Sequence, residues 1–291
     1  MINLGNKDRK IELYELEKLE SKYLKKYYHF LKYCLDEILI GFDTKNKIKD
    51  DWINQWNKDL KKGESKGISD FADGAERIIY SLLNGKGIGQ PNSAPIGADL
   101  FFEVENAFIH IDVKTVQIKN IKDYINNINV GNNQNSYNSK NIKRNGKTII
   151  YDEAALPTYY KVKYNDGRKI NKKPCLTYFI TILYEAENLD ILNINILSMP
   201  NGELEEVYKG KILGAGKLQY PKEDKKRDGY YRTIRYLWPK CKKFTLYDSS
   251  SRYKVIYYNE KLVKKLYKQN KIDESSKKKL NKLLNKKEES K

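Results

Sequence analysis

Asp112 and Lys114 place a carboxylate and an ammonium two residues apart, a pair that could act together on a phosphate. The surrounding segment 108–116 alternates in character, and its apolar positions are Ile109, Ile111 and Val113. Alternate residues of a β-strand lie on opposite faces. The apolar face is therefore predicted to pack on the core. Asp112 and Lys114 are predicted to project together from the other face, roughly 7 Å apart along the strand.

Asp99 begins the preceding alternating run, and a short turn around Glu105 and Asn106 is predicted to join both runs in a β-hairpin. The hairpin would bring Asp99 to the same edge as Asp112 and Lys114. Two carboxylates can hold Mg²⁺, which prefers oxygen ligands, and the bound metal could activate water against a phosphodiester. Lys114 could position or deprotonate that water, or stabilise the charged transition state, and the sequence leaves these roles open.

The segment Pro95-Ile96-Gly97-Ala98-Asp99, followed after twelve residues by Asp112-Val113-Lys114, resembles the PD-(D/E)XK nuclease superfamily, in particular type II restriction endonucleases. The resemblance covers about residues 70–118. It departs from the family pattern in the three residues that separate Pro95 from Asp99 and in an Asp at the second acidic position. It implies Asp99, Asp112 and Glu76 of the preceding helix as ligands of Mg²⁺, with Lys114 completing the catalytic set.

Other catalytic architectures lack their residues. Only His29 and His110 are available for a histidine-based nuclease, and the glycine-lysine run at 214–217 lacks the spacing and the Ser or Thr of a phosphate-binding loop. Gln117 falls on the face opposite to Lys114. The three cysteines are widely spaced and are interpreted as reduced thiols rather than a zinc site or a disulfide framework.

The formal charge of +18, with a pI near 9.4, favours a polyanionic partner. Residues 261–291 carry a surplus of +8, which leaves +10 on the rest of the chain. An AT-rich genome would also enrich lysine, so charge alone does not establish DNA binding. DNA contacts are predicted in segments 126–144 and 225–235, and the candidate side chains there are Lys140, Lys143, Arg144, Arg227, Arg232 and Arg235.

Periodicity predicts the elements that must position these residues. Residues 1–68 form a helical N-terminal region, a helix begins after Ser69, and strands are predicted at 176–184, 189–197, 244–247 and 253–258. Segment 126–147 is too polar to supply core and is predicted to be a long loop. We expect an α/β (α+β) nuclease domain over 69–260 with a restriction-endonuclease-like mixed central sheet flanked by helices, and a Lys-rich helix or tail over 261–291.

The combined prediction is a type II restriction endonuclease that cuts double-stranded DNA at a short specific sequence. The resemblance further implies 5′-phosphate products and a matching DNA methyltransferase in the host, and a palindromic target would require a homodimer. No apolar stretch approaches the length of a membrane span, so the cytoplasm is the expected location. The alternatives are a repair, recombination or junction nuclease of the same superfamily, and a non-enzymatic nucleic-acid-binding protein.

Overall fold

The computed structural model contains a mixed β-sheet with helices packed against it. It describes residues 4–47, 70–83, 90–91, 99–125, 127–130, 134, 136, 141–144, 147–150, 156–163, 167, 171–208, 233–236 and 252–285. The predicted strand 244–247 and the second N-terminal segment, which contains Trp52 and Trp56, lie outside these residues. The proposed domain boundaries at 68 and 260 stay predictions.

The N-terminal helices are confirmed and pack on the rest of the molecule. Helix α1 is Leu4–Tyr33 and α2 is Leu35–Lys47. Apolar positions three and four residues apart form a buried stripe along α1 that includes Leu13, Leu16, Leu24, Tyr27 and Leu31. These side chains belong to the same apolar core as the sheet.

Helix α3 is Asp70–Leu83, as the run after Ser69 predicts. Its buried side chains, Ala75, Ile79 and Leu83, are spaced by one turn, and the helix packs against α2 and the central strand β3, Ala107–Gln117. The helix therefore reaches the strand that carries Asp112 and Lys114.

The predicted hairpin is confirmed. Strand β2, Leu100–Val104, and strand β3, Ala107–Gln117, pair antiparallel around the two-residue turn Glu105-Asn106. A short strand β1, Gln90–Pro91, pairs with the outer edge of β2.

Within the described residues, the main sheet has seven strands, six of which run in the order β1-β2-β3-β8-β9-β11. Strand β8 is Asn171–Tyr184, β9 is Ile191–Met199 and β11 is Tyr253–Tyr258, close to the predicted positions. Strands β3 and β8 are parallel, whereas β9 pairs antiparallel with β8 on one side and with β11 on the other. The sheet is therefore mixed, as predicted. Strand β7, Tyr159–Val162, pairs with the first residues of β8.

The two faces of the sheet have different neighbours. Tyr178 on β8 donates a hydrogen bond from its hydroxyl to the Glu20 carbonyl at 2.9 Å, which places α1 on the face that also contains Ile111. On the opposite face, Tyr124 bonds Asn193 and Asn195 of β9. Tyr124 belongs to a short helix α4, Lys122–Ile125, which follows a 3₁₀ turn at Ile118–Asn120. Both faces of the central strands are therefore covered.

The polar segment 126–147 contains extended structure, and the prediction of one long loop was wrong there. Strand β4 is Asn127–Val130, and strands β5, Asn141–Arg144, and β6, Lys147–Ile150, form an antiparallel hairpin. Strand β4 pairs antiparallel with β10, Thr233–Tyr236, in a separate ribbon. Backbone pairing satisfies the N–H and C=O groups of these short strands, and the Asn-, Ser- and Lys-rich composition of the segment did not indicate it.

The chain continues after β9 in a 3₁₀ turn, Gly202–Leu204, and a short helix α5, Glu205–Tyr208. Two helices then follow β11. Helix α6 is Glu260–Lys268, with Asn259 capping it, and α7 is Glu274–Asn285. The side chain of Tyr258 bonds Asn281 of α7 at 2.8 Å, so this Lys-rich segment is helical over 274–285 and packs on β11.

None of the helices in the described part of the chain has the length and apolarity that crossing a bilayer requires. Cys34 and Cys175 are buried and form no disulfide within the described part of the chain, and Cys241 lies outside the described residues.

Candidate active site

Asp112 and Lys114 lie on one side of β3 and contact each other. Lys114 Nζ is 2.5 Å from Asp112 Oδ1. The Asp112 side chain is fully buried, whereas 24% of the Lys114 side chain is exposed to solvent. Strand parity therefore predicted the pairing correctly. It did not predict the burial of Asp112, which follows from the position of β3 between β2 and β8 with both of its faces covered.

Asp99 precedes β2 and is brought to β3 by the antiparallel hairpin. Its Oδ2 accepts a hydrogen bond of 2.5 Å from the Val113 backbone N–H, between Asp112 and Lys114. Leu100, the next residue, pairs with Ile111, so the strand register fixes Asp99 beside the acid and lysine of β3. The convergence predicted from the sequence is present.

Glu76 lies in the middle of α3, whose apolar side packs toward β3. It is half-buried, and its negative charge contributes to the pKa of Asp112. The structure thus brings all four predicted site residues into one electrostatic neighbourhood, which we call the acid-lysine cluster: Glu76, Asp99, Asp112 and Lys114.

Burial dominates the electrostatics of the carboxylates in this cluster. The pKa of Asp112 is raised to about 7, mainly by desolvation and also by the negative charges of Asp99 and Glu76, while the Lys114 ammonium opposes the shift. Desolvation also raises the pKa of Asp99, although the hydrogen bond from the Val113 N–H and the charge of Lys114 act to lower it. One ammonium therefore does not fully compensate the buried negative charge, and the site favours an additional cation.

The described residues do not form a ready-made cage of three or more His, Cys, Asp or Glu side chains around a metal. Mg²⁺ does not need one, since it is commonly held by one or two carboxylates together with water and substrate phosphates. Asp112 Oδ2 is buried and has no hydrogen-bond partner. Its unused lone pairs, together with Asp99 across the hairpin, fit the donor set of a hard divalent cation.

The predicted DNA-contact segments meet in the fold. Asn127–Val130, within segment 126–144, pairs along its whole length with Thr233–Tyr236 at the end of segment 225–235. Arg235 lies on β10 opposite Ile128. Lys143 and Arg144 lie on β5, whereas Lys140, Arg227 and Arg232 lie outside the described residues.

Two buried polar groupings were not predicted. Arg252 bridges Glu17 and Glu20 of α1, and Tyr124 joins Thr181, Asn193 and Asn195 on the sheet. The second left a signal in the sequence, because Asn193 and Asn195 alternate with apolar residues in a strand that is buried on both faces. The first left none, since Arg252 follows Glu17 by more than two hundred residues.

Comparison with known proteins defines the class. The chain belongs to the family of the type II restriction enzyme MwoI: the family model for the N-terminal domain matches residues 12–188. The model for the central domain of the same enzyme matches residues 191–258. The protein is therefore a type II restriction endonuclease, a site-specific deoxyribonuclease. Such enzymes are generally dependent on a divalent metal.

Solved structures support the same fold. The chain is similar to the restriction endonuclease BglI bound to its DNA recognition sequence, with a TM-score of 0.54 and 16% identity over 88% of this chain and 98% of that one. It is also similar to the tetrameric restriction endonuclease SfiI bound to cognate DNA, with a TM-score of 0.51 and 13% identity over 77% and 79% of the two chains. A search of curated proteins found no match.

Proposed function

We propose that the acid-lysine cluster is the catalytic centre of this endonuclease and that Asp99 and Asp112, with Glu76 beside them, hold Mg²⁺. The observation that carries the proposal is the buried Asp112 carboxylate, which contacts Lys114 on one oxygen and has no hydrogen-bond partner on the other. When bound, Mg²⁺ would polarise a phosphate oxygen and lower the pKa of a coordinated water.

The chain's own residues have separate roles in this scheme. Asp99 is fixed by the Val113 N–H, so its carboxylate is oriented before any ligand arrives. Lys114 forms an ion pair with the Asp112 carboxylate, and its side chain is partly exposed. We therefore assign Lys114 to neutralising charge at the scissile phosphate and orienting the attacking water, rather than to removing a proton.

The β4–β10 ribbon and the β5–β6 hairpin are proposed to contact DNA. A two-stranded ribbon fits the major groove, where amide and guanidinium groups distinguish base pairs. The two strands of the ribbon carry Asn127, Asn129 and Arg235, which have this chemistry. Lys143 and Arg144 on β5 are candidates for phosphate contacts, and Lys140, Arg227 and Arg232 are the remaining candidates.

Several finer properties follow from the assignment to double-stranded DNA. Attack of water on phosphorus with cleavage of the P–O3′ bond would leave a 5′-phosphate on one end and a 3′-hydroxyl on the other. A palindromic site would be cut by a two-fold symmetric homodimer, since operator symmetry mirrors protein symmetry. A matching DNA methyltransferase would protect the host, and the cytoplasm stays the predicted location.

The test is digestion of a plasmid of known sequence with Mg²⁺, with EDTA, and with Mg²⁺ after methylation of the DNA, followed by mapping of the ends. We expect discrete fragments with 5′-phosphates that require Mg²⁺. Lys114→Ala should cut at least about 100-fold more slowly, whereas Lys119→Ala, an exposed lysine just after β3, should cut like the wild type. Smearing or structure-selective nicking would contradict strict base reading, and equal cutting by both variants would contradict the catalytic role of Lys114.

A further inference from the structure

A buried polar network lies next to Lys114 on the same face of the sheet. Lys114 of β3 pairs in register with Thr181 of β8, and Thr181 pairs in register with Asn195 of β9. Residues directly opposite each other in paired strands lie on the same face. Lys114, Thr181 and Asn195 therefore form one row across three neighbouring strands. Lys114 lies at one end of this row and is also a member of the acid-lysine cluster.

A series of hydrogen bonds, each from donor to acceptor, begins at Thr181 and leads away from Lys114. The Thr181 hydroxyl donates to Asn195 Oδ1, and the Asn195 amide donates to the Tyr124 hydroxyl oxygen. The Tyr124 hydroxyl in turn donates to Asn193 Oδ1, which also accepts from the Asn195 amide at 3.2 Å. We call these four residues the tyrosine network: Tyr124, Thr181, Asn193 and Asn195.

The network is costly if its only purpose is to fill the core. All four side chains are buried, with exposures of 2% or less. Buried amides and hydroxyls lose their hydration. A fully hydrogen-bonded network therefore fixes one arrangement of the core more than it stabilises the fold. The surrounding positions of β8 and β9 are apolar, so apolar residues of similar size would suit the same space.

Tyr124 connects this row to the proposed DNA-contact ribbon. It lies on α4, which begins five residues after β3 ends, and β4 starts two residues after α4 ends. Ile118, Ile121 and Ile125 are buried around it, so the connection between β3 and β4 is anchored in the core. A shift of the Tyr124 hydroxyl would move the base of the ribbon relative to Lys114.

We propose that the tyrosine network is a positioning device, in which the Tyr124 hydroxyl holds α4 and the base of the β4–β10 ribbon at a fixed place relative to Lys114. Its four members are positioning residues and contact neither DNA nor metal. The proposal rests on the proposed function of Lys114 and of the ribbon. Its consequence is that DNA bound through the ribbon arrives with its phosphate aligned to the acid-lysine cluster, because a misplacement of about 1 Å can cost a hundredfold in rate.

The test compares two tyrosine-to-phenylalanine variants. Tyr124→Phe keeps the ring and removes the hydroxyl from the network. Tyr178→Phe is the matched control, because Tyr178 is similarly buried and its hydroxyl, like that of Tyr124, donates one hydrogen bond, here to the Glu20 carbonyl on the opposite face. Both variants should lower the thermal midpoint by a similar few degrees.

Single-turnover cleavage and DNA binding are then measured on an oligonucleotide that contains the mapped site. We expect Tyr124→Phe to cut at least about 10-fold more slowly with a dissociation constant within about twofold of wild type, whereas Tyr178→Phe cuts normally. Thr181→Val should behave like Tyr124→Phe, and Thr181→Ser, which keeps the hydroxyl, should restore the rate.

Equal cleavage rates for Tyr124→Phe and Tyr178→Phe would overturn the positioning role and leave the proposed catalytic centre intact. A slower Tyr124→Phe that Thr181→Val does not reproduce would also overturn it, because the network would not act as a unit. Failure of the wild type to cut any DNA would instead overturn the proposed function. The two proposals therefore fail separately.

Discussion

Two clusters among the described residues each place buried acidic side chains beside a basic one, and the two clusters differ in how far the basic side chain is enclosed. In the arginine cluster, Arg252 Nη2 lies 2.8 Å from Glu17 Oε1 and 2.5 Å from Glu20 Oε2, and only 4% of the Arg252 side chain is exposed. In the acid-lysine cluster, 24% of the Lys114 side chain is exposed.

An unbonded oxygen does not distinguish the two clusters, since Glu17 Oε2 and Asp112 Oδ2 are both buried without a hydrogen-bond partner. The distinction is the enclosure of the cation. Arg252 is held by the ring and hydroxyl of Tyr208, and Glu20 also accepts from the Asn201 backbone N–H at 2.7 Å. The arginine cluster is closed and joins α1 to the sheet, whereas the acid-lysine cluster remains open to a further ligand.

The largest expected effect is the loss of stability caused by Arg252→Met in the arginine cluster. Removal of the guanidinium leaves Glu17 and Glu20 buried without their cation, and breaking a buried ion pair on one side costs about 3–5 kcal/mol. Chemical denaturation should show this loss in the free energy of unfolding. The triple variant Arg252→Met, Glu17→Gln, Glu20→Gln should regain most of it, and no recovery would show that the arginine acts by packing rather than by charge.

Asp112→Asn should reduce cleavage strongly and change stability little, in contrast to Arg252→Met. We expect cleavage to fall by at least about 100-fold, some 3 kcal/mol of transition-state stabilisation. The free energy of unfolding should stay within about 1 kcal/mol of wild type or rise, because Lys114 can still be solvated and a desolvated charge is gone. Asp190→Asn, in the turn between β8 and β9, is the control and should change neither quantity. A large loss of stability in Asp112→Asn would make the acid-lysine cluster a second structural ion pair.

The part of the site that could be predicted from the sequence is the part built on a single hairpin. Alternation placed Asp112 and Lys114 on one side of β3, and a two-residue turn brought Asp99 to Val113. Both follow from strand geometry within about fifteen residues. The general class of mixed sheet and flanking helices also followed from the periodicities.

Contacts between distant segments could not be predicted. Asn127–Val130 pairs with Thr233–Tyr236 across a hundred residues, and the alternation within four residues of each strand does not indicate its distant partner. Arg252 meets Glu17 only because β11 lies beside β9, over which α1 packs. The burial of Asp112 likewise depends on which strand becomes central, and that is decided by the pairing of β3 with β8 rather than by any local residue.

The smallest expected effect, a pH dependence of stability, separates the clusters without changing the fold. Burial raises the pKa of Glu20 and of Asp112 to about 7 in the folded protein, above the values of 4.5 and 3.8 expected for the unfolded chain. Each carboxyl therefore binds a proton more tightly when folded. Its contribution to stability is complete below the unfolded pKa and is lost as the pH rises through about 7.

We expect the free energy of unfolding of the wild type to fall between pH 5 and pH 8, with a share of about 2–3 kcal/mol from each group. Glu20→Gln should remove the contribution of Glu20 to this pH dependence, and Asp112→Asn should remove that of Asp112. Added Mg²⁺ should remove only the Asp112 share, because a cation bound there favours the ionised carboxylate, whereas the enclosed arginine cluster has no access to it. If Mg²⁺ flattened the pH profile of Asp112→Asn as much as that of the wild type, the metal would be acting elsewhere, and the acid-lysine cluster would not be the open one of the two.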